Sequence, residues 1–168
     1  SMPVGFKNTT AGGISEAING IQASMRPQTF LGVSDQGVAS AVTTKGNPSC
    51  HLILRGGKHG PNYDAASVAD AQEQLLAADL PPSIMIDASH ANCDKDHERM
   101  PEVFRSIVDQ RIRGDHHIVG AMLESHLQPG KQKLGSDLSA LTYGQSITDP
   151  CLGWETTAAL VREAAAAL

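Results

Sequence analysis

Apolar positions along this chain follow two rhythms that take turns. Pro3 to Lys7, His51 to Arg55, Ile84 to Asp87 and Ile118 to Glu124 are short, nearly continuous apolar runs, the pattern of strands covered on both faces. Between them, apolar residues fall at helical spacing. Ile14, Ala17, Ile18 and Ile21 follow the Gly12-Gly13 break, and Val68, Leu75 and Leu76 mark a second helix with Asp64 or Ser67 as its N-cap. Pro81 and Pro82 end that helix, because their rings and missing donors cannot continue it. Val103, Phe104, Ile107 and Val108 predict a third helix, and the alanine-rich stretch Trp154 to Leu168 a fourth. Strand and helix in alternation predict an α/β fold, a parallel sheet covered by helices, as one domain over residues 1–168.

Two segments interrupt the alternation. Phe30 to Val33 and Val38 to Thr43 flank Asp35-Gln36-Gly37, which predicts an inserted hairpin. Residues 127–149 fit neither period and contain Pro129, Gly130, Gly135 and Gly144. A stretch of this length is either a plain surface excursion or a functional loop.

Composition narrows the possibilities by exclusion. A chain of 168 residues can bury one sizeable core and is short for two. A formal net charge of -5 without a Lys/Arg cluster argues against nucleic acid as a partner, since neutralising phosphates needs a basic face. No window is apolar enough for a membrane span and the first residues carry no signal pattern, so a cytoplasmic protein is expected. Cys50, Cys93 and Cys151 are odd in number and not closely paired, which predicts buried, reduced thiols.

The chemistry lies where the strands finish. The four main runs lead to Lys7, Arg55, His90 and Glu124. Parallel α/β folds bind ligands at the carboxyl ends of their strands. One charged strand end is ordinarily a solvated terminus; its recurrence on every predicted main strand points to a site. Lys7 and Arg55 supply positive charge, and Gly56-Gly57 after Arg55 lets backbone approach an anion closely, so these residues read as a phosphate grip. His90 and Glu124 suit a divalent transition metal, and Asp149, ahead of the last helix, can join them. A metal beside a phosphate grip implies a phosphorylated substrate with a carbonyl to polarise. Asp87 is expected to orient its neighbours, His51 to line the interior with Arg55, and His116-His117 to lie on the surface, while His126 reads either way.

At these same residues the sequence resembles a known family. "PVGFKN", "ILRGGK" with "PNY" behind it, "MIDASHAN", "ESHL" and "YGQSITDPCLGWE" are similar, in order, to the carboxyl-terminal half of the type I 3-deoxy-D-arabino-heptulosonate 7-phosphate (DAHP) synthases. "KNTTAGG" departs from the family's usual "KNGTDG", and Ala88 stands where an aromatic is common. The resemblance implies half of a TIM barrel and a transferase of the shikimate pathway, which leads to the aromatic amino acids. That enzyme condenses phosphoenolpyruvate with erythrose 4-phosphate and releases phosphate. It further implies that Lys7, which is also the catalytic candidate, and Arg55 with Gly56 contact phosphoenolpyruvate. His90, Glu124 and Asp149 would hold a divalent metal: manganese, iron, cobalt or zinc. Ser1, Phe30 and Gly32 match an aromatic-amino-acid effector pocket of the family. The alternative is a module without chemistry that binds such an effector or serves assembly.

The family's remaining metal ligand, a cysteine, belongs to the other half of the barrel, so this chain by itself is expected to be incomplete and inactive. Half a barrel has two open edges, and unpaired edges seek partners. The missing amino-terminal half, or another copy of the chain, is the expected partner.

Overall fold

The computed structural model describes residues 2–168. Four strands form one parallel sheet: β1 (Val4–Lys7), β4 (Cys50–Leu54), β5 (Ile84–Asp87) and β6 (Ile118–Met122), hydrogen-bonded in that order. The inserted β2 (Thr29–Val33) and β3 (Ala39–Thr43) form a separate antiparallel hairpin, and β7 (Ser125–His126) pairs in parallel with β8 (Leu152–Gly153). The helices are α1 (Ser15–Met25), α2 (Ala65–Ala77), α3 (Met100–Ile112) and α4 (Trp154–Ala167). The alternation predicts this order because each apolar strand must be covered, and a helix is the shortest crossover that returns the chain parallel to itself.

One face of the sheet carries the core. Leu52, Leu54, Ile84 and Ile86 are buried against Ile21 of α1, Val68 and Leu75 of α2, and Val103 and Ile107 of α3. The other face is more open. A β-carbon added to Gly5 would stand 2.7 Å from His51 Nε2, so Gly5 and His51 share the face opposite Phe6, which instead meets Gly20 of α1. Period two then carries Lys7 onto the same face. β1 and β6 are the outer strands and the sheet does not close on itself, so the fold is a parallel α/β half-barrel.

The observed elements differ from expectation in a few places. Asp64, not Ser67, caps α2, its carboxylate accepting from the amides of Ala66 and Ser67. Leu76 is 60% exposed: Val68, Ala71 and Leu75 complete the buried stripe, and Leu76 falls a further 100° around the helix. β6 ends at Met122, two residues before Glu124, because the chain there leaves the sheet to pair with the β8 segment, Leu152 N donating to Glu124 O at 2.9 Å. Cys50 and Cys93 are buried as expected, but Cys151 is only half-buried, in an isolated bridge with Gly130.

Residues 127–149 are cross-braced rather than loose. Gln128 N donates to Gly144 O and Gln132 N to Ser146 O, each at 2.8 Å. The Gln132 side chain donates to Thr142 O and Gln145 O and accepts from Thr142 N, which locks the two arms of the loop together. These contacts are mostly polar and backbone-mediated, so no hydrophobic period announces them.

Candidate functional site

Three asparagines set the shape of the rim. Asn92 Nδ2 donates to Leu54 O at 3.3 Å and to Asp87 O at 2.8 Å, which ties the ends of β4 and β5. Asn92 Oδ1 accepts from Asn62 N at 2.8 Å, and Asn62 Nδ2 reaches Asn8 Oδ1 at 3.3 Å. Asn8, placed directly after β1, accepts from Arg55 N at 2.8 Å and donates to Gly56 O at 3.0 Å. Asn8 and Asn92 are buried, and each replaces hydrogen bonds that the strands lose as they diverge. Asn8 and Asn62 lack the charge by which the strand-end candidates stand out; for Asn8 the available signal is a small amide just beyond an apolar run.

Asp87 occupies the centre of the rim, fully buried at the end of β5. Its Oδ2 accepts from Lys7 Nζ at 2.7 Å and from His90 Nδ1 at 2.9 Å. Its Oδ1 accepts from Ser89 N at 2.9 Å and from the Ser89 hydroxyl. Burial by itself pushes this carboxyl up, but the hydrogen bonds from Lys7 and Ser89 outweigh it and hold the group below its ordinary value. Asp87 therefore orients both neighbours. With Nδ1 as the donor, His90 keeps the lone pair of Nε2 for a ligand. His90 itself sits at a φ of 56°, in the left-handed region, where the turn after β5 aims the ring back across the rim.

Glu124 faces that ring, with Oε1 3.5 Å from His90 Nε2. Asp149 arrives from the braced loop, and one ligand atom from each of His90, Glu124 and Asp149 lies within 4.8 Å of the others. Burial raises the Glu124 carboxyl; the His90 ring opposes this and the Asp149 charge adds to it. The two carboxylates repel each other until a cation joins them. Donors to one transition metal at roughly 2.0–2.2 Å stand at most about 4.4 Å apart, so only a slight closure would be required. The mixed nitrogen and oxygen donors fit manganese, iron, cobalt or zinc better than calcium. Among the described residues this is the one group of three or more such ligands that converges.

The other candidates divide. Arg55 stands next to Lys7 in strand order, and its guanidinium makes no hydrogen bond or ion pair among the described residues. Gly56 needs its missing β-carbon for a different reason from the one anticipated. Its φ is +71° and an added β-carbon would lie 2.7 Å from the Ala91 carbonyl carbon, while its amide already donates to Asn62 Oδ1 at 2.6 Å. The glycine lets two loops cross, and its N–H is not turned to an anion. His51 lies on the inner face, and burial lowers its pKa. His126 is exposed, accepts from Leu127 N through Nδ1 and stands outside the three-ligand group. His116 and His117 are exposed, as expected. Phe30 and Gly32 share one face of the hairpin, which is a sheet separate from the one that carries the rim, and Phe30 is 53% exposed. Ser1 lies outside the described residues.

Parallel β/α units that bring Lys7, Arg55 and a converging His90, Glu124 and Asp149 to the carboxyl ends of the strands define an open α/β half-barrel with a candidate metal site at its rim. The sequence pattern of the DAHP synthetase I family matches residues 1–162. The chain belongs to that family. It is 48% identical over 168 residues to the Phe-sensitive phospho-2-dehydro-3-deoxyheptonate aldolase of Escherichia coli K12, covering 100% of this chain and 47% of the relative. The tyrosine-inhibited enzyme of Schizosaccharomyces pombe is likewise 48% identical, over 100% of this chain and 46% of its own length. Among solved structures, the phospho-2-dehydro-3-deoxyheptonate aldolase of Francisella tularensis superposes with a TM-score of 0.89 at 38% identity, over 99% of this chain and 48% of that one. The chain thus spans about half the length of the curated relatives it matches.

Proposed function

We propose that this chain forms the carboxyl-terminal half of the active site of a phospho-2-dehydro-3-deoxyheptonate aldolase. The reaction joins phosphoenolpyruvate to erythrose 4-phosphate with water, giving DAHP and phosphate. The observation that carries this proposal is the shared rim: Lys7, Asp87, His90 and Glu124 are linked in series by contacts of 2.7 to 3.5 Å, with Asp149 within reach.

In this proposal Lys7 and Arg55 hold the phosphoryl group of phosphoenolpyruvate. Their charges face the negative charge that grows as the phosphate departs. Lys7 is the catalytic candidate because its ammonium already stands at the rim, fixed by Asp87. His90, Glu124 and Asp149 would hold a divalent metal, which supplies Lewis-acid polarisation of the aldehyde or orientation of water. Asp87 and Ser89 keep the His90 ring turned so that Nε2 faces Glu124. The remaining substrate contacts belong to the other half of the barrel, so the proposed partner of the open β1 and β6 edges is that half.

The hairpin supports a second role on the same protein. Relatives carry the names Phe-sensitive and Tyr-sensitive, and Phe30 with Gly32 offers an exposed aromatic face beside a position without a side chain. We assign the aromatic effector contact to this face.

The test has two arms. Manganese binding to the chain, followed by the free-ion electron paramagnetic resonance signal, is expected to be lost or strongly weakened in His90→Ala. Consumption of phosphoenolpyruvate in the presence of the complementing half is expected to require erythrose 4-phosphate and to stop with a chelator. No manganese binding, or turnover indifferent to the chelator, would overturn the proposal.

A further inference from the structure

Lys7 and His90 donate to the same carboxylate oxygen, Asp87 Oδ2, at 2.7 and 2.9 Å. We propose that this shared oxygen couples the phosphate grip to the metal ligands, so that an anion taken up by Lys7 tightens metal binding at His90. This inference rests on the roles proposed for Lys7 and His90.

A carboxylate oxygen has two lone-pair sites, and both on Oδ2 are in use. The other oxygen is held by Ser89 N and the Ser89 hydroxyl, so Asp87 has no free site and, being fully buried, no water to supply one. Whatever negative charge Oδ2 directs to the ammonium is shared with the imidazole N–H. Lys7, with about a third of its side chain exposed, can follow an arriving anion; Asp87, fully buried, cannot. When the ammonium turns toward a phosphoryl group, Oδ2 is left to His90 alone.

A stronger hydrogen bond at Nδ1 holds the ring more firmly and makes Nε2 a better donor to a metal. Linkage requires the converse as well: metal at Nε2 draws the N–H closer to Oδ2, loosens Lys7 and raises its affinity for an anion. A metal and a nearby anion also attract through space without Asp87. The variant Asp87→Asn separates the two effects, since it keeps the size of the side chain and removes the shared carboxylate.

The experiment measures manganese affinity at constant ionic strength in sulfate and in chloride, sulfate serving as the tetrahedral anion. In the unaltered chain sulfate is expected to lower the manganese dissociation constant by about fivefold, and in Asp87→Asn by less than about twofold. A second measurement covers the case in which Asp87→Asn does not fold. In the metal-free unaltered chain, sulfate is expected to shift the 15N resonance of His90 Nδ1, assigned by its loss in His90→Gln. An unchanged affinity, a full sulfate effect in folded Asp87→Asn, or an unmoved His90 resonance overturns the coupling. Failure of manganese to bind, or binding indifferent to His90→Ala, overturns the metal assignment itself and this inference with it.

Discussion

Lys7 Nζ lies 2.7 Å from Asp87 Oδ2, an ion pair formed between residues 80 positions apart in sequence. β1 and β5 are not neighbours; β4 lies between them. The pair therefore bridges across the end of an intervening strand, which requires all three carboxyl ends to be level and the asparagine network to keep them so.

That pair should govern stability in acid. Asp87 sits below its ordinary value of 3.8 in the folded chain. The folded state therefore binds the proton less readily than the unfolded one, so this stabilisation is fully present above about that value and is lost as pH falls through the lower, folded value. Lys7→Met should raise the Asp87 carboxyl toward its ordinary value and flatten the acid limb. Urea unfolding midpoints between neutral pH and pH of roughly 3 provide the check.

Glu124 should behave in the opposite sense. Its carboxyl is raised by burial, with Asp149 adding to the effect. Between the ordinary value of 4.5 and the raised one, the folded state holds the extra proton, so stability falls as pH rises through that window. A metal competes for the same oxygen, and its affinity should rise over the same window. Glu124→Gln should remove this pH dependence and weaken manganese binding by at least about tenfold, as read in manganese titrations at a series of pH values.

Gly56→Ala should lower stability by about 2 kcal/mol or more. Its φ of +71° disfavours any β-carbon, and the new carbon would meet backbone atoms of Ala91 and Asn92 at 2.7 and 2.8 Å. Gly37→Ala, also at positive φ but with nothing within 4 Å, should cost less. Denaturant melts of the two variants give the comparison.

Asp64→Ala should cost about 1 kcal/mol through loss of the α2 cap, while Asp64→Asn should retain most of it. Asp64 accepts from Ala66 N and Ser67 N and pairs with the Ser67 hydroxyl. The urea midpoints of both variants decide whether the cap or the charge matters.

The chain in isolation should associate. β1 and β6 each present an unpaired edge, and Val4 and Val119 on them are 39% and 55% exposed. Sedimentation at micromolar concentration should show dimers or larger species, and adding the complementing half should replace them with a one-to-one complex. A stable monomer would contradict this.

Sequence by itself determined the element order, the parallel α/β class and the strand ends at which Lys7, Arg55, His90 and Glu124 stand. These follow from local rhythm, because an apolar run must be covered and the residue after it must emerge. The family motifs were equally legible, since they are contiguous in the chain. The tertiary structure alone decided that Asp87 is the shared acceptor of Lys7 and His90, that Asn8, Asn62 and Asn92 lock the rim, and that Asp149 reaches Glu124 through a braced loop. Most of those relations join residues far apart in sequence, through side-chain hydrogen bonds or, for Asp149, through the placement of its loop. They depend on register and loop packing, for which periodicity carries no signal.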